Sequence, residues 1–167
     1  MPQTTRNRDS LHHAPDDAET ALLLIDVINP IDFEGGENLL RSALPMAGAL
    51  AVFKRRAKAA GVPVIYVNDN FGRWRSDFPK IVQYCSQPDV RGRPVVERLA
   101  PEPDDYFVLK PKHSAFFSTT LDTLLKYLQV ERLILTGITA DMCVLITAVD
   151  AHMRDFRICV PRGSAPA

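Results

Sequence analysis

Three side chains in this sequence have types and placements suited to proton and acyl transfer: Asp26, Lys110 and Cys143. The run Leu133-Ile134-Leu135-Thr136-Gly137-Ile138-Thr139-Ala140-Asp141-Met142-Cys143 reads as an apolar strand that passes through a small-residue turn and delivers Cys143 into the first turn of a helix. The N–H groups of such a turn lack intrahelical partners and carry partial positive charge, so they favour a thiolate and can hold an oxyanion. A nucleophile beside free donors supplies two of the parts that acyl transfer requires. The competing reading of Cys143 is an inert core residue, because free cysteines are among the most buried side chains. Asp26 and Lys110 each end an apolar strand. A carboxylate there can take the thiol proton while an ammonium holds the negative charge close to the sulfur. Singly, a strand-end aspartate often caps a loop and a strand-end lysine points to water; the convergence of all three carries the catalytic reading.

The elements that must position these groups alternate between strand and helix. Ala21–Ile25 is a continuous apolar run, as expected of a strand buried on both faces, and it ends at Asp26. A loop with Pro30, Gly35 and Gly36 follows, then a helix predicted from Pro45 to Ala60, with Gly61 as its stop. Val62–Asn68 reads as a second strand. The segment 69–103 is expected to be irregular, with one short helix near Ile81–Ser86, and loops of that length are usually functional. Tyr106–Lys110 is the third strand, followed by a helix over Thr119–Leu128 that Ser118 can cap. Arg132–Gly137, a helix from Ala140 to about Arg154, and a short strand Arg157–Val160 complete the order. This alternation predicts an α/β/α three-layer fold around a mostly parallel sheet. In such sheets ligands bind outside the carboxyl ends of the strands, where Asp26, Lys110 and Cys143 all fall.

Bulk properties narrow the function classes. The 167 residues are 46% hydrophobic and 24% charged, suiting one domain over 19–161 with an N-terminal arm, 1–18, and a tail, 162–167. Twenty basic and twenty acidic residues cancel, so there is no electrostatic footprint for nucleic acid or an anionic membrane. No apolar run is long enough to span a bilayer and the N-terminus has no signal-peptide pattern. Cys85, Cys143 and Cys159 form neither a disulfide framework nor a CxxC pair, which fits a reducing, cytoplasmic setting. There is no GxGxxG after Asp26 and no GxxxxGK[ST], which argues against a nucleotide-binding module.

Leu23–Asn29, Lys110–Phe116 and Thr136–Val144 resemble the three signature segments of the isochorismatase-like cysteine hydrolases, a group that includes nicotinamidases, carbamoylsarcosine amidase-like enzymes and isochorismatases. The resemblance runs from about Thr20 to Pro161, in the family's order. It implies Cys143 as nucleophile, Asp26 as general acid/base, and Lys110 as the group that orients Asp26 and stabilises the thiolate. It further implies a cis peptide at Ile138–Thr139 and an oxyanion hole from the amides of Thr139 and Cys143. The reaction implied is hydrolysis of a small amide or related C–N bond through a thioester, with Asp26 protonating the departing amine and then activating water. Phe71, Trp74 and Phe116 are candidates to line the substrate pocket, with plain packing of a loop onto the sheet as the alternative; Asn68, Asp69 and Asn70 read as a turn, with orientation of a substrate as the other reading.

The sequence also departs from the family pattern. Metal-binding nicotinamidases carry an Asp-x-His pair after the second strand, whereas Asn68-Asp69-Asn70-Phe71-Gly72-Arg73-Trp74 contains no histidine, and His12, His13, His113 and His152 are scattered. No bound metal and no cofactor are expected. Family members usually continue beyond the fifth strand with a further helix and more sheet, so the shortened C-terminus is expected to leave apolar surface that either a homo-oligomeric partner covers or that destabilises the domain. The expected partner in chemistry is a small-molecule substrate. Alternative readings are an isochorismatase-type vinyl ether hydrolase, which does not require the cysteine, and a catalytically silent member acting as an interaction subunit.

Overall fold

A computed structural model describes residues 18–166; most of the predicted N-terminal arm, with His12 and His13, lies outside the described residues. Strands β1 (Thr20–Ile25), β2 (Val64–Asp69), β3 (Tyr106–Lys110), β4 (Arg132–Gly137) and β5 (Arg157–Cys159) form one parallel sheet in the order β3-β2-β1-β4-β5. The order reverses direction at β1, so the crevice of the fold opens between the carboxyl ends of β1 and β4.

The β1 residues Ala21–Ile25 have no solvent exposure, and their alternation divides them between two apolar layers. Leu22 and Leu24 join the layer formed with helices α1 (Gly36–Ala59), α2 (Phe78–Cys85) and α3 (Arg93–Arg98). Ala21, Leu23 and Ile25 face the layer formed with α4 (Leu121–Tyr127) and α5 (Leu145–His152). Burying each such leucine or isoleucine contributes about 1.5–3 kcal/mol, which makes this central strand the fixed reference for whatever follows it.

Element bounds differ from the sequence reading where tertiary contacts override local signals. Helix α1 begins at Gly36 and carries Pro45 inside it, because Ala43, Met46, Ala47 and Leu50 pack on the sheet on both sides of the proline. Helix α2 starts earlier than expected, capped by the Asp77 side chain, which accepts the Lys80 N–H at 2.9 Å. Helix α3 lies inside the segment expected to be irregular, and its buried Val95 and Val96 supply the apolar contact that so short a helix requires. Ser118 does not cap α4; it has a left-handed backbone with φ 52°, and the Thr119 hydroxyl accepts the Leu121 N–H instead.

A buried ionic cluster ties α1 to the segment that feeds β3. The Lys54 ammonium, 3% exposed, meets Asp105 at 2.6 Å, the Tyr66 hydroxyl at 3.0 Å and the Ala100 carbonyl at 3.1 Å. Lys58 reaches the other Asp105 oxygen at 2.9 Å. Segment 162–166, expected to be a loose tail, lies back on the end of β4. The Ser164 carbonyl accepts the Gly137 N–H at 2.9 Å, and the Pro166 carbonyl accepts the Ala140 N–H at 2.7 Å. The outward face of α5 leaves Leu145, Val149 and Met153 exposed. Among the described residues no helix is long and apolar enough to cross a membrane.

Candidate active site

Asp26 is the first residue beyond β1, and its left-handed backbone, φ 53°, turns the chain sharply at the sheet edge. The turn is braced from β2. Asn68, fully buried, accepts the Ile28 N–H at 3.2 Å and donates to the Ile28 carbonyl at 3.0 Å and the Asp69 carbonyl at 3.2 Å. The Asp26 carboxylate accepts the Asp69 N–H at 2.7 Å through one oxygen and pairs with the Lys110 ammonium at 2.9 Å through the other. Lys110 is on β3, two strands away, and its long side chain crosses the end of β2 to make this contact.

Lys110 has no solvent exposure. Besides Asp26 it lies 3.7 Å from the Asp69 carboxylate, donates to the Lys112 carbonyl at 3.1 Å and stands 3.6 Å from the Cys143 sulfur. The cysteine arrives from β4 through the cis peptide Ile138–Thr139 and a single π-helical turn, Ala140–Val144, which precedes α5. Gly137 at the end of β4 has φ 126°, and a Cβ there would fall 2.0 Å from the Ile25 carbonyl oxygen, so only glycine lets β4 run this close to β1. The Thr139 amide immediately precedes the π-turn and the Cys143 amide lies within it. Asp26, Lys110 and Cys143 are therefore brought together, from three strand ends.

Burial pushes the Asp26 carboxyl above the usual carboxylate range, with the Lys110 charge acting against it. Burial pulls the Lys110 ammonium down, but the Asp26 charge and hydrogen bond outweigh it, and the group is held above the ordinary lysine value. For Cys143, burial followed by the Asp26 carboxylate pushes the thiol up to about 12, against the pull of Lys110. Desolvation and the neighbouring carboxylate thus act on the sulfur against the ammonium, and against the thiolate-favouring pull expected from the first-turn amides.

The pocket candidates separate. Phe71 is 38% exposed on the turn after β2, where the Asp69 side chain accepts its N–H at 2.6 Å. Trp74 is 78% exposed, in a shallow groove with Arg73, Arg75 and Lys80. Phe116 is 5% exposed; its ring stacks on Phe156 and lies under the Arg154 guanidinium, so it anchors the loop after β3 to the core instead of lining a pocket. Asp69 and Asn70 do form a turn, capping Phe71 and Gly72, whereas Asn68 is the brace just described. One residue near the chemistry has no role in the sequence reading: His113, whose Nδ1 is 3.8 Å from the Cys143 sulfur. Its place three residues beyond Lys110, in a loop that must turn back over the strand end, is the one signal that could have found it.

The family profile described as Isochorismatase domain matches residues 20–163. The isochorismatase family protein YaaI of Bacillus subtilis is 41% identical over 145 residues, covering 87% of this chain and 79% of that protein. The ureidoacrylate amidohydrolase RutB of Pantoea ananatis is 28% identical over 166 residues, covering 83% of this chain and 65% of its own length. Among solved structures, N-carbamoylsarcosine amidase from Thermoplasma acidophilum superposes with a TM-score of 0.68 at 28% identity, over 90% of this chain and 85% of that one.

Proposed function

The chain belongs to the isochorismatase family of hydrolases, and from that premise we propose that it cleaves a small amide or related C–N bond with Cys143 as nucleophile and a thioester intermediate. The observation that carries the reading is the position of the Lys110 ammonium, 2.9 Å from Asp26 and 3.6 Å from the Cys143 sulfur, with Asp26 and Lys110 shut away from water. The relatives named for amide hydrolysis, the ureidoacrylate amidohydrolase and the N-carbamoylsarcosine amidase, support the substrate class.

In this reading Asp26 takes the thiol proton as the sulfur attacks the carbonyl, a transfer favoured by the raised basicity of the buried carboxylate. Lys110 stays charged and offsets the negative charge that moves between oxygen and sulfur. The amides of Thr139 and Cys143 hold the tetrahedral oxyanion. The departing nitrogen is protonated, and water hydrolyses the thioester. The test is turnover of a panel of N-carbamoyl amino acids, ureido acids and simple carboxamides by wild type and Cys143→Ala. Hydrolysis by wild type that is lost in the variant is the expected result. An amide still cleaved by Cys143→Ala refutes the nucleophile, and isochorismate cleaved by both proteins favours ether hydrolysis.

A further inference from the structure

Basic and acidic residues cancel over the whole chain, so a local excess of one sign reflects placement and not bulk composition. Such an excess stands on the turn after β2, where Arg73, Trp74, Arg75 and Lys80 line one shallow groove. Lys80 is neutralised by Asp77 at 2.9 Å. Neither guanidinium has a carboxylate or a hydrogen-bond acceptor among the described residues. Arg73 is held by its face, which lies 4.5 Å from the centroid of the Tyr84 ring, and its N–H edge stays unused. Arg75 has no partner of any kind among the described residues.

Two consecutive turns keep this groove against the reacting groups. The Asn70 N–H donates to the Lys110 carbonyl at 3.1 Å, the Arg73 N–H to the Asn70 carbonyl at 2.8 Å, and the Ser76 N–H to the Arg73 carbonyl at 2.9 Å. Each turn brings its ends within about 7 Å, so the chain folds back beside the strand end instead of leading away from it. At that same strand end Lys110 reaches Asp26 and the Cys143 sulfur.

We propose that this groove binds a carboxylate of the substrate, so that the amide cleaved at Cys143 belongs to a small acid, with Arg75 as the residue that selects it. The inference rests on the thiol-hydrolase reading and narrows its substrate class. A guanidinium presents paired N–H donors that match both oxygens of a carboxylate. Arg75 gives up no existing bond to engage one. Trp74, 78% exposed between the two cations, offers a flat apolar face to the atoms that join the carboxylate to the scissile carbonyl.

Trp74 is the only tryptophan of the chain, so its fluorescence reports occupation of the groove directly. The probes are N-carbamoylglycine, N-carbamoyl-β-alanine and N-carbamoyl-4-aminobutyrate, each paired with its neutral methyl ester and titrated onto Cys143→Ala, so that binding is read apart from turnover. At least one acid should change the Trp74 emission saturably and bind about tenfold or more tighter than its ester. Adding Arg75→Gln should remove that advantage and leave the ester unchanged. In protein that keeps Cys143, Arg75→Gln should raise KM for the same acid about tenfold, with kcat within about threefold of wild type. Acids that leave the emission unchanged, acid and ester of equal affinity, or an Arg75→Gln effect that falls equally on both overturn the proposal. Acids that bind through Arg75 but are not hydrolysed by wild type uphold the groove and refute the amidase reading. Neutral amides cleaved as well as acids, with no response to Arg75→Gln, do the reverse.

Discussion

Replacing Asn68 by alanine tests whether the turn that holds Asp26 is braced from β2. The substitution removes three hydrogen bonds at 3.0–3.2 Å and strips Ile28, which has no solvent exposure, of a partner for both its N–H and its carbonyl. Each buried backbone group left unpaired costs about 1–3 kcal/mol, so the two together give about 4 kcal/mol. For a domain of this size that corresponds to a fall of about 8–16 °C in Tm. The Asp26 carboxylate keeps Lys110 and the Asp69 N–H but loses the fixed backbone behind it, and a displacement of about 1 Å in such a group can cost about 100-fold in rate. Asn70→Ala is the matched control, since that side chain makes one capping bond, to the Gly72 N–H at 2.9 Å. Urea unfolding gives the stability of both variants, and turnover of an amide that wild type hydrolyses, read below the transition, gives the state of the site. A cost for Asn68→Ala under about 1 kcal/mol, or one no larger than that of Asn70→Ala, would refute the bracing argument.

Three further outcomes follow from the same geometry. Asp26→Asn removes the base that takes the Cys143 proton in the proposed mechanism, so amide turnover should fall by about 10²–10⁴-fold and iodoacetamide should label Cys143 more slowly than in wild type at pH 8; undiminished turnover would contradict the role given to Asp26. In the Lys54 cluster, Lys54→Met should cost about 2 kcal/mol, because Asp105 keeps Lys58, whereas Asp105→Ala should cost about 3 kcal/mol, because the buried Lys54 ammonium keeps the half-exposed Glu102 carboxylate at 3.3 Å but loses its buried partner; denaturation midpoints that reverse this order would disprove the asymmetry. Burial pushes the Cys85 thiol up to about 11 from 9.0, so the stability gained by burying the neutral thiol is present below pH 9.0 and is lost as pH rises through about 11. Unfolding free energy should therefore fall less steeply over that window in Cys85→Ala than in wild type, and parallel slopes would be the contrary result.

The centre of the sheet was legible from the chain because β1 and β2 are buried on both faces, and continuous apolar runs such as Leu22–Ile25 and Val64–Val67 mark such strands directly. The strand ends, and with them Asp26, Lys110 and the approach to Cys143, follow from the same runs. Helix bounds were less legible. Pro45 is a local signal to start a helix, but the apolar residues before it reach the core and extend α1 back to Gly36. Aromatic residues gave no directional signal: Phe116 and Phe71 look alike in sequence, and only the packing of Phe156 and Arg154 over one of them sends it inward. The first-turn amides that favour a Cys143 thiolate are visible in sequence, whereas the desolvation that opposes them is not.

Gly137 bears on how such a protein can diversify. With no room for even a methyl group between it and the Ile25 carbonyl, the spacing between the strand that leads to Asp26 and the strand that leads to Cys143 admits almost no variation. The turn that carries Phe71 and Trp74, by contrast, hangs from the same sheet edge with both rings partly or largely in solvent. Substitutions there leave the spacing of the two reacting strands untouched. A library confined to residues 71–76 therefore tests whether this turn meets the substrate, with the bond-breaking apparatus inherited intact.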